Sequence, residues 1–147
     1  MITFLPSENF QETAKILDNR RLGSQRREAY GILMSHLVNG ELSRHTVGRM
    51  WEGYTDALID YTITICVEWE QRGFRDTIRE KIKERSSFIY ERPWWLGKDI
   101  LHSSHRSNLL RKDPIYYGRF GWSELPLLPY YWPGGKSAIR SRDECIT

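Results

Sequence analysis

The middle of this chain does most to limit what it can fold into. Met50, Tyr54, Ala57, Leu58, Tyr61, Ile65 and Trp69 recur at helical spacing, and Gly73 follows as a stop. The pattern predicts one long helix over roughly 49–71 whose apolar face forms the core. Thr62, Ile63, Thr64, Ile65 and Val67 are β-branched, so a strand competes locally. The flanking periodicity is too long for a strand and decides for helix. The chain has 147 residues, 39% hydrophobic and 28% charged, which suits one globular domain around such a helix.

The flanking segments extend an all-α reading. Ser7 is the expected cap of a first helix, with Glu8 and Glu12 in its first turns and Phe10, Ala14 and Leu17 as its apolar stripe. A second helix is expected from about Gln25 to Val38, with Ser24 as its N-cap and Gly23 just before it. Ala29, Ile32, Leu33 and Leu37 make its buried face, and Asn39-Gly40 ends it. His36 reads as a hydrogen-bonded core residue. A polar connection over 41–48 carries Arg44 and His45. Asp76 caps a short charged helix reaching Arg85, and 86–93 is a loop. A last helix spans about 98–112, because Pro114 disfavours its continuation. Tyr116, Tyr117, Phe120, Trp122, Tyr130, Tyr131 and Trp132 follow, broken by prolines, and predict an irregular aromatic wrap. The expectation is a compact single domain over 1–133, with a flexible tail over 134–147.

Several classes of function are excluded or disfavoured. No apolar run approaches the length of a membrane span, and Pro6-Ser7-Glu8 interrupts the start too early for a signal peptide. Cys66 and Cys145 lie far apart, one in an apolar helix and one in a polar tail. That fits a reduced, cytoplasmic protein in which neither thiol is catalytic. There is no phosphate-binding glycine loop and no nucleophilic serine motif. His102 and His105 share a helix face, but no third ligand stands at zinc-like spacing, so no metal and no cofactor is expected.

Charge distribution is more informative than the net charge of +3. Residues 1–50 hold seven Lys/Arg against five Asp/Glu, 51–100 hold eight against ten, and 101–147 hold seven against four. An acidic middle between basic ends suits one basic surface built from both ends, facing an anionic partner. The first end supplies the segment 18–28, where Arg20, Arg21, Arg26 and Arg27 surround Glu28. Converging guanidinium groups suit phosphates, and a carboxylate among them suits chemistry on what the phosphates hold. At the opening of a helix, the dipole would also favour its ionised form. A solvated helix start with ordinary ion pairs is the competing reading. The second end supplies His102, His105, Arg106, Arg111 and Lys112, a candidate opposite wall. Its rival reading is a stripe that hydrogen-bonds the aromatic tail. Tyr116, Tyr117 and Trp94 are candidates for stacking on an unpaired base.

These patches together resemble the pyrimidine-dimer DNA glycosylase family of phage and bacteria, the small helical enzymes of the phage endonuclease V type. Asp18, Leu22 and Arg27-Glu28 match one family segment, and Glu68 with Arg72-Gly73-Phe74 match a second. Arg106, Leu109, Lys112, Pro114 and Tyr116-Tyr117 match a third. The chain looks closer still to a bacterial and phage branch sharing the Thr-Phe-Leu-Pro start and the block 102–114. The resemblance implies an N-glycosylase that removes a damaged or modified pyrimidine from double-stranded DNA after flipping it, acting as a monomer. It implies Glu28 as the essential carboxylate and the neighbouring arginines as DNA contacts. It also implies an N-terminal α-amine that attacks the sugar, followed by strand elimination. Such an amine is partly unprotonated at neutral pH and therefore nucleophilic.

The chain departs from the pattern at that nucleophile. Studied members expose a threonine amine after losing Met, whereas position 2 here is Ile, whose bulk opposes Met removal. Three routes stay open: the Met1 amine serves, Glu28 activates water, or the substrate is a different modified nucleotide. Two rival functions remain beside base excision. One is a non-catalytic protein that recognises bent or modified DNA, and the other is an enzyme acting on free nucleotides with the same fold.

Overall fold

A computed structural model describes residues 1–39, 46–87 and 89–138. Every regular element among them is helical: α1 Phe10–Ile16, α2 Asn19–Asn39, α3 Thr46–Arg49, α4 Thr55–Gln71, α5 Arg79–Ile82, α6 Asp99–Lys112 and α7 Pro114–Tyr117, with short 3-10 turns at Lys83–Arg85, Gly118–Phe120 and Lys136–Ala138. The all-α expectation holds. None of the helices is long and apolar enough to cross a membrane.

The core forms where the periodicity placed it. Helices α1 and α2 both pack along α4. Tyr54, Ala57, Leu58, Tyr61 and Ile65 are buried there, together with Phe10, Ala14 and Leu17 from the first helix and its end. Trp51 and Trp95 meet edge to face at 4.9 Å, an arrangement that suits the ring quadrupoles. His36 is buried and pairs with the Gly48 carbonyl at 2.9 Å, as a core histidine should.

Several local expectations are corrected. The first helix is capped by Asn9, whose carboxamide oxygen accepts the Glu12 N–H at 2.9 Å; Ser7 instead donates to the Glu12 carboxylate. The second helix starts at Asn19, not near Gln25. Asp18 supplies the cap by accepting the Arg21 N–H at 3.3 Å. Gly23 and Ser24 therefore lie inside α2. Gly23 is tolerated there because α4 comes so close: a Cβ on it would stand 2.9 Å from the Trp69 ring. Leu37 points outward, 37% exposed, and His36 takes the inward position instead.

The long helix expected over 49–71 begins only at Thr55: α3 ends at Arg49, and 50–54 form the turn between it and α4. Gly53 adopts φ 80, a left-handed turn that separates α3 from α4. The short charged helix expected from Asp76 to Arg85 is α5 over Arg79–Ile82 followed by a 3-10 turn over Lys83–Arg85, and the Asp76 carboxylate accepts the Arg79 N–H at 2.8 Å ahead of it. After Asp113 the chain makes one further helical turn, α7, which begins on Pro114 and is capped by the Asp113 side chain. The residues that follow run over α6 largely without regular structure, as the prolines predicted.

Part of the expected tail is held. Lys136 donates its N–H to the Glu52 carbonyl at 2.8 Å, and Gly135 accepts from the Trp94 indole at 2.9 Å. The rest of that tail, 139–147 with Cys145, lies outside the described residues, as do Gly40, Arg44 and His45.

Candidate active site

The first four residues lie against α2, and the side chain of Gln25 holds them there. Gln25 is fully buried. Its carboxamide oxygen accepts the Phe4 N–H and the Tyr61 hydroxyl, both at 2.8 Å. Its NH2 group donates to the Ile2 carbonyl at 2.8 Å and to the Glu28 carboxylate at 2.9 Å. Two donors and two acceptors are thus all used, and the partners fix which end of the amide is which. The start of the chain and Glu28 therefore share one nitrogen as hydrogen-bond donor.

Met1 continues the same line. Its sulfur lies 3.6 Å from where a Cβ on Gly31 would be. Residues 25, 28 and 31 fall three apart, so they share one face of α2. The chain start therefore runs over that face from Gln25, past Glu28, to Gly31. Glu28 is half-buried beside it and Met1 is exposed. Because α2 begins at Asn19, Glu28 sits in the third turn of its helix, beyond the reach of the dipole of the helix start.

The segment 18–28 does not act as one cluster. Arg20 and Arg27 are exposed and make no ion pair among the described residues. Arg21 is tied to Asp18 at 3.1 Å and lies over the Tyr117 ring. Arg26 turns away from solvent to pair with Asp76 at 2.5 Å and stacks on Trp69, 4.8 Å from the ring centre. Burial alone would raise Asp76, but the Arg79 N–H and the Arg26 guanidinium hold it below the usual carboxylate range. Arg26 is therefore a packing residue in this fold.

The expected opposite wall is also divided. His102 and His105 are buried, and both imidazoles grip Leu5. His105 Nδ1 accepts the Leu5 N–H at 2.8 Å, and His102 Nδ1 lies 2.7 Å from the Leu5 carbonyl. His102 Nε2 accepts the Gly97 N–H at 2.9 Å, so its Nδ1 carries the proton and donates to Leu5. Burial lowers both histidines, His105 to about 3, so both are neutral. Arg106 is bidentate to Glu124 at 2.9 and 3.0 Å and also reaches the Pro6 carbonyl. These three side chains, expected to face DNA, fasten the chain start to α6 instead. The rival stripe reading had the right chemistry, although the main partner is the N-terminal segment. The tail contributes Trp132 and Tyr130, which pack edge-on against His105.

Tyr117 is likewise internal. It is fully buried and hydrogen-bonded to the Asp18 carboxylate, so it has no face for a base. Tyr116 is half-buried beneath the Arg119 guanidinium, 4.2 Å from its ring centre. Lys112 is exposed, and Arg111 donates to Asn108.

Two residues of the site were missed in the sequence. Gln25 had no signal beyond its place three residues before Glu28. Tyr130 was one ring among many in the aromatic wrap. Burial pushes its hydroxyl up to about 12, with Arg111 and Arg21 pulling against that and Glu28 adding to it. Tyr130 thus stands within electrostatic range of Glu28 and of one cation from each basic end. Its buried hydroxyl has no hydrogen-bond partner among the described residues.

The fold and site define a small helical protein that holds its own first residues against a half-buried carboxylate. A model of the pyrimidine dimer DNA glycosylase family matches residues 1–81, more than half of the chain, and the chain belongs to that family. Membership carries DNA-glycosylase activity in DNA repair as its general function, with DNA as substrate. The matched span contains the chain start, Gln25, Glu28 and Tyr61. No curated relative and no solved structure matches the chain.

Proposed function

We propose that the protein removes a damaged or modified pyrimidine from duplex DNA, with Glu28 as the acting carboxylate and the Met1 α-amine as the nucleophile. The observation that carries this reading is the shared Gln25 nitrogen, which sets Ile2 and Glu28 side by side and leaves Met1 exposed next to them. As the bond from sugar C1′ to the base nitrogen breaks, its electron pair leaves with the base and positive charge grows on the sugar. Glu28 stabilises that charge and moves protons. The amine lone pair attacks C1′; ring opening then gives an imine, and loss of a C2′ proton allows the 3′ phosphate to leave.

Arg20, Arg27 and Lys112 are exposed cations and would hold phosphates. The target base would be flipped from the stack, since its sugar is not reachable within the duplex. Duplexes carrying one thymine dimer or one abasic site test the reading. Glu28→Gln is expected to bind them as the unaltered chain does and to cleave about 1,000-fold more slowly, within the range for a positioned acid–base group. Undiminished cleavage would remove Glu28 from the mechanism. Borohydride should trap a covalent adduct at Met1. Base release without an adduct would instead assign the attack to water.

A further inference from the structure

We infer that Gln25 is a positioning residue for this reaction: its carboxamide locks the chain start and Glu28 into one geometry. The inference rests on the function proposed above and adds to it a group that touches neither sugar nor base.

The hydrogen-bond inventory supports it. A buried carboxamide offers two donors and accepts at one oxygen, and here every one is committed. The two acceptor contacts, from Phe4 and Tyr61, anchor the amide to the core. Tyr61 has one hydroxyl proton, which is shared between the Gln25 oxygen and the Phe4 carbonyl, each 2.8 Å away. The two donor contacts face the site, one to backbone of the chain start and one to Glu28. Leu5 is gripped from the other side by His102 and His105. Residues 2–5 are thus held from both directions, and only Met1 projects beyond the last clamp. Such an arrangement fixes an amine before DNA arrives, which lowers the entropic cost of attack.

Glutamate is nearly isosteric with glutamine but cannot provide these donors when ionised. At position 25 it would set an oxygen against the Ile2 carbonyl and against Glu28. Methionine would keep the volume and remove all four bonds. Gln25→Glu and Gln25→Met are therefore each expected to lower the single-turnover cleavage rate on the abasic duplex by about 100-fold, the scale of a small misplacement of reacting groups. Affinity for the same duplex should not change, because Gln25 is buried. A purely packing role predicts a lower melting temperature with an unchanged rate in the folded variant, and that result would overturn the inference.

Amide hydrogen exchange on the unaltered chain gives a second arm, independent of activity and of whether the variants fold. The Phe4 N–H should be strongly protected. Rapid exchange of Phe4 in the unaltered chain would show that the lock is absent. If Glu28→Gln cleaves normally, the proposed site is wrong; if Glu28→Gln is inactive while both Gln25 variants cleave normally, only the positioning role fails.

Discussion

The two basic ends of the chain have similar composition and opposite fates. In 18–28 the helix keeps two of its four arginines, Arg20 and Arg27, on the surface, and Glu28 remains half-buried beside the chain start. In 102–112 the two histidines and Arg106 turn inward and spend their hydrogen bonds on residues 5–6 and on Glu124. A charged or titratable residue thus stays available to an outside partner only where no internal partner takes it. The second end still serves the site, by holding in place the segment that the first end works beside.

Removing single groups on either side sharpens this contrast. The largest effect on stability should come from Arg26→Ala, which strands the buried Asp76 carboxylate. Loss of one partner of a buried pair costs about 3–5 kcal/mol. Denaturant unfolding should show it, and an effect as small as that of a surface pair would return Arg26 to the DNA-facing group. His105→Ala should follow at about 3 kcal/mol, since it leaves the buried Leu5 N–H unpaired and opens space under Tyr130 and Trp132.

The same histidines set a pH dependence. Both are lowered in the folded state, so between the ordinary histidine range near about 6.5 and the folded values the unfolded chain binds more protons. Stability should therefore be level above that range and fall as pH drops below it, by at most about 1.4 kcal/mol per pH unit for each histidine. For His105 the loss continues to about pH 3. Asp18, Asp76 and Glu124 are held below the usual carboxylate range, so they add a further loss as pH falls through and below that range. Unfolding free energies measured from pH 7 to 4 should show the first decline, and His105→Ala should flatten it. A chain equally stable at pH 7 and 5 would contradict the buried neutral pair.

The smallest effect belongs to the surface. Arg27→Ala should leave the melting temperature unchanged while lowering the salt dependence of duplex binding by about one phosphate contact, a change of about 0.9 in the log–log slope. An unchanged slope would detach Arg27 from the phosphates.

What was legible in the sequence was what depends on near neighbours. Periodicity from Tyr54 to Ile65 identified the core helix, and Asp76 and Pro114 marked element boundaries. Arg27-Glu28 with the two later patches pointed to the family. These signals survive because helix spacing and capping act over three or four residues. Where the chain start runs was decided only in three dimensions. Gln25 joins Ile2 and Phe4 from more than 20 residues away, and His102 and His105 reach Leu5 from about 100. The use of glycine inside α2 at position 23 was also a tertiary outcome, since Trp69 leaves no room there for a side chain. A local pattern cannot report which buried donor will find which distant acceptor. That pairing follows from packing, and packing set the first residues against Glu28.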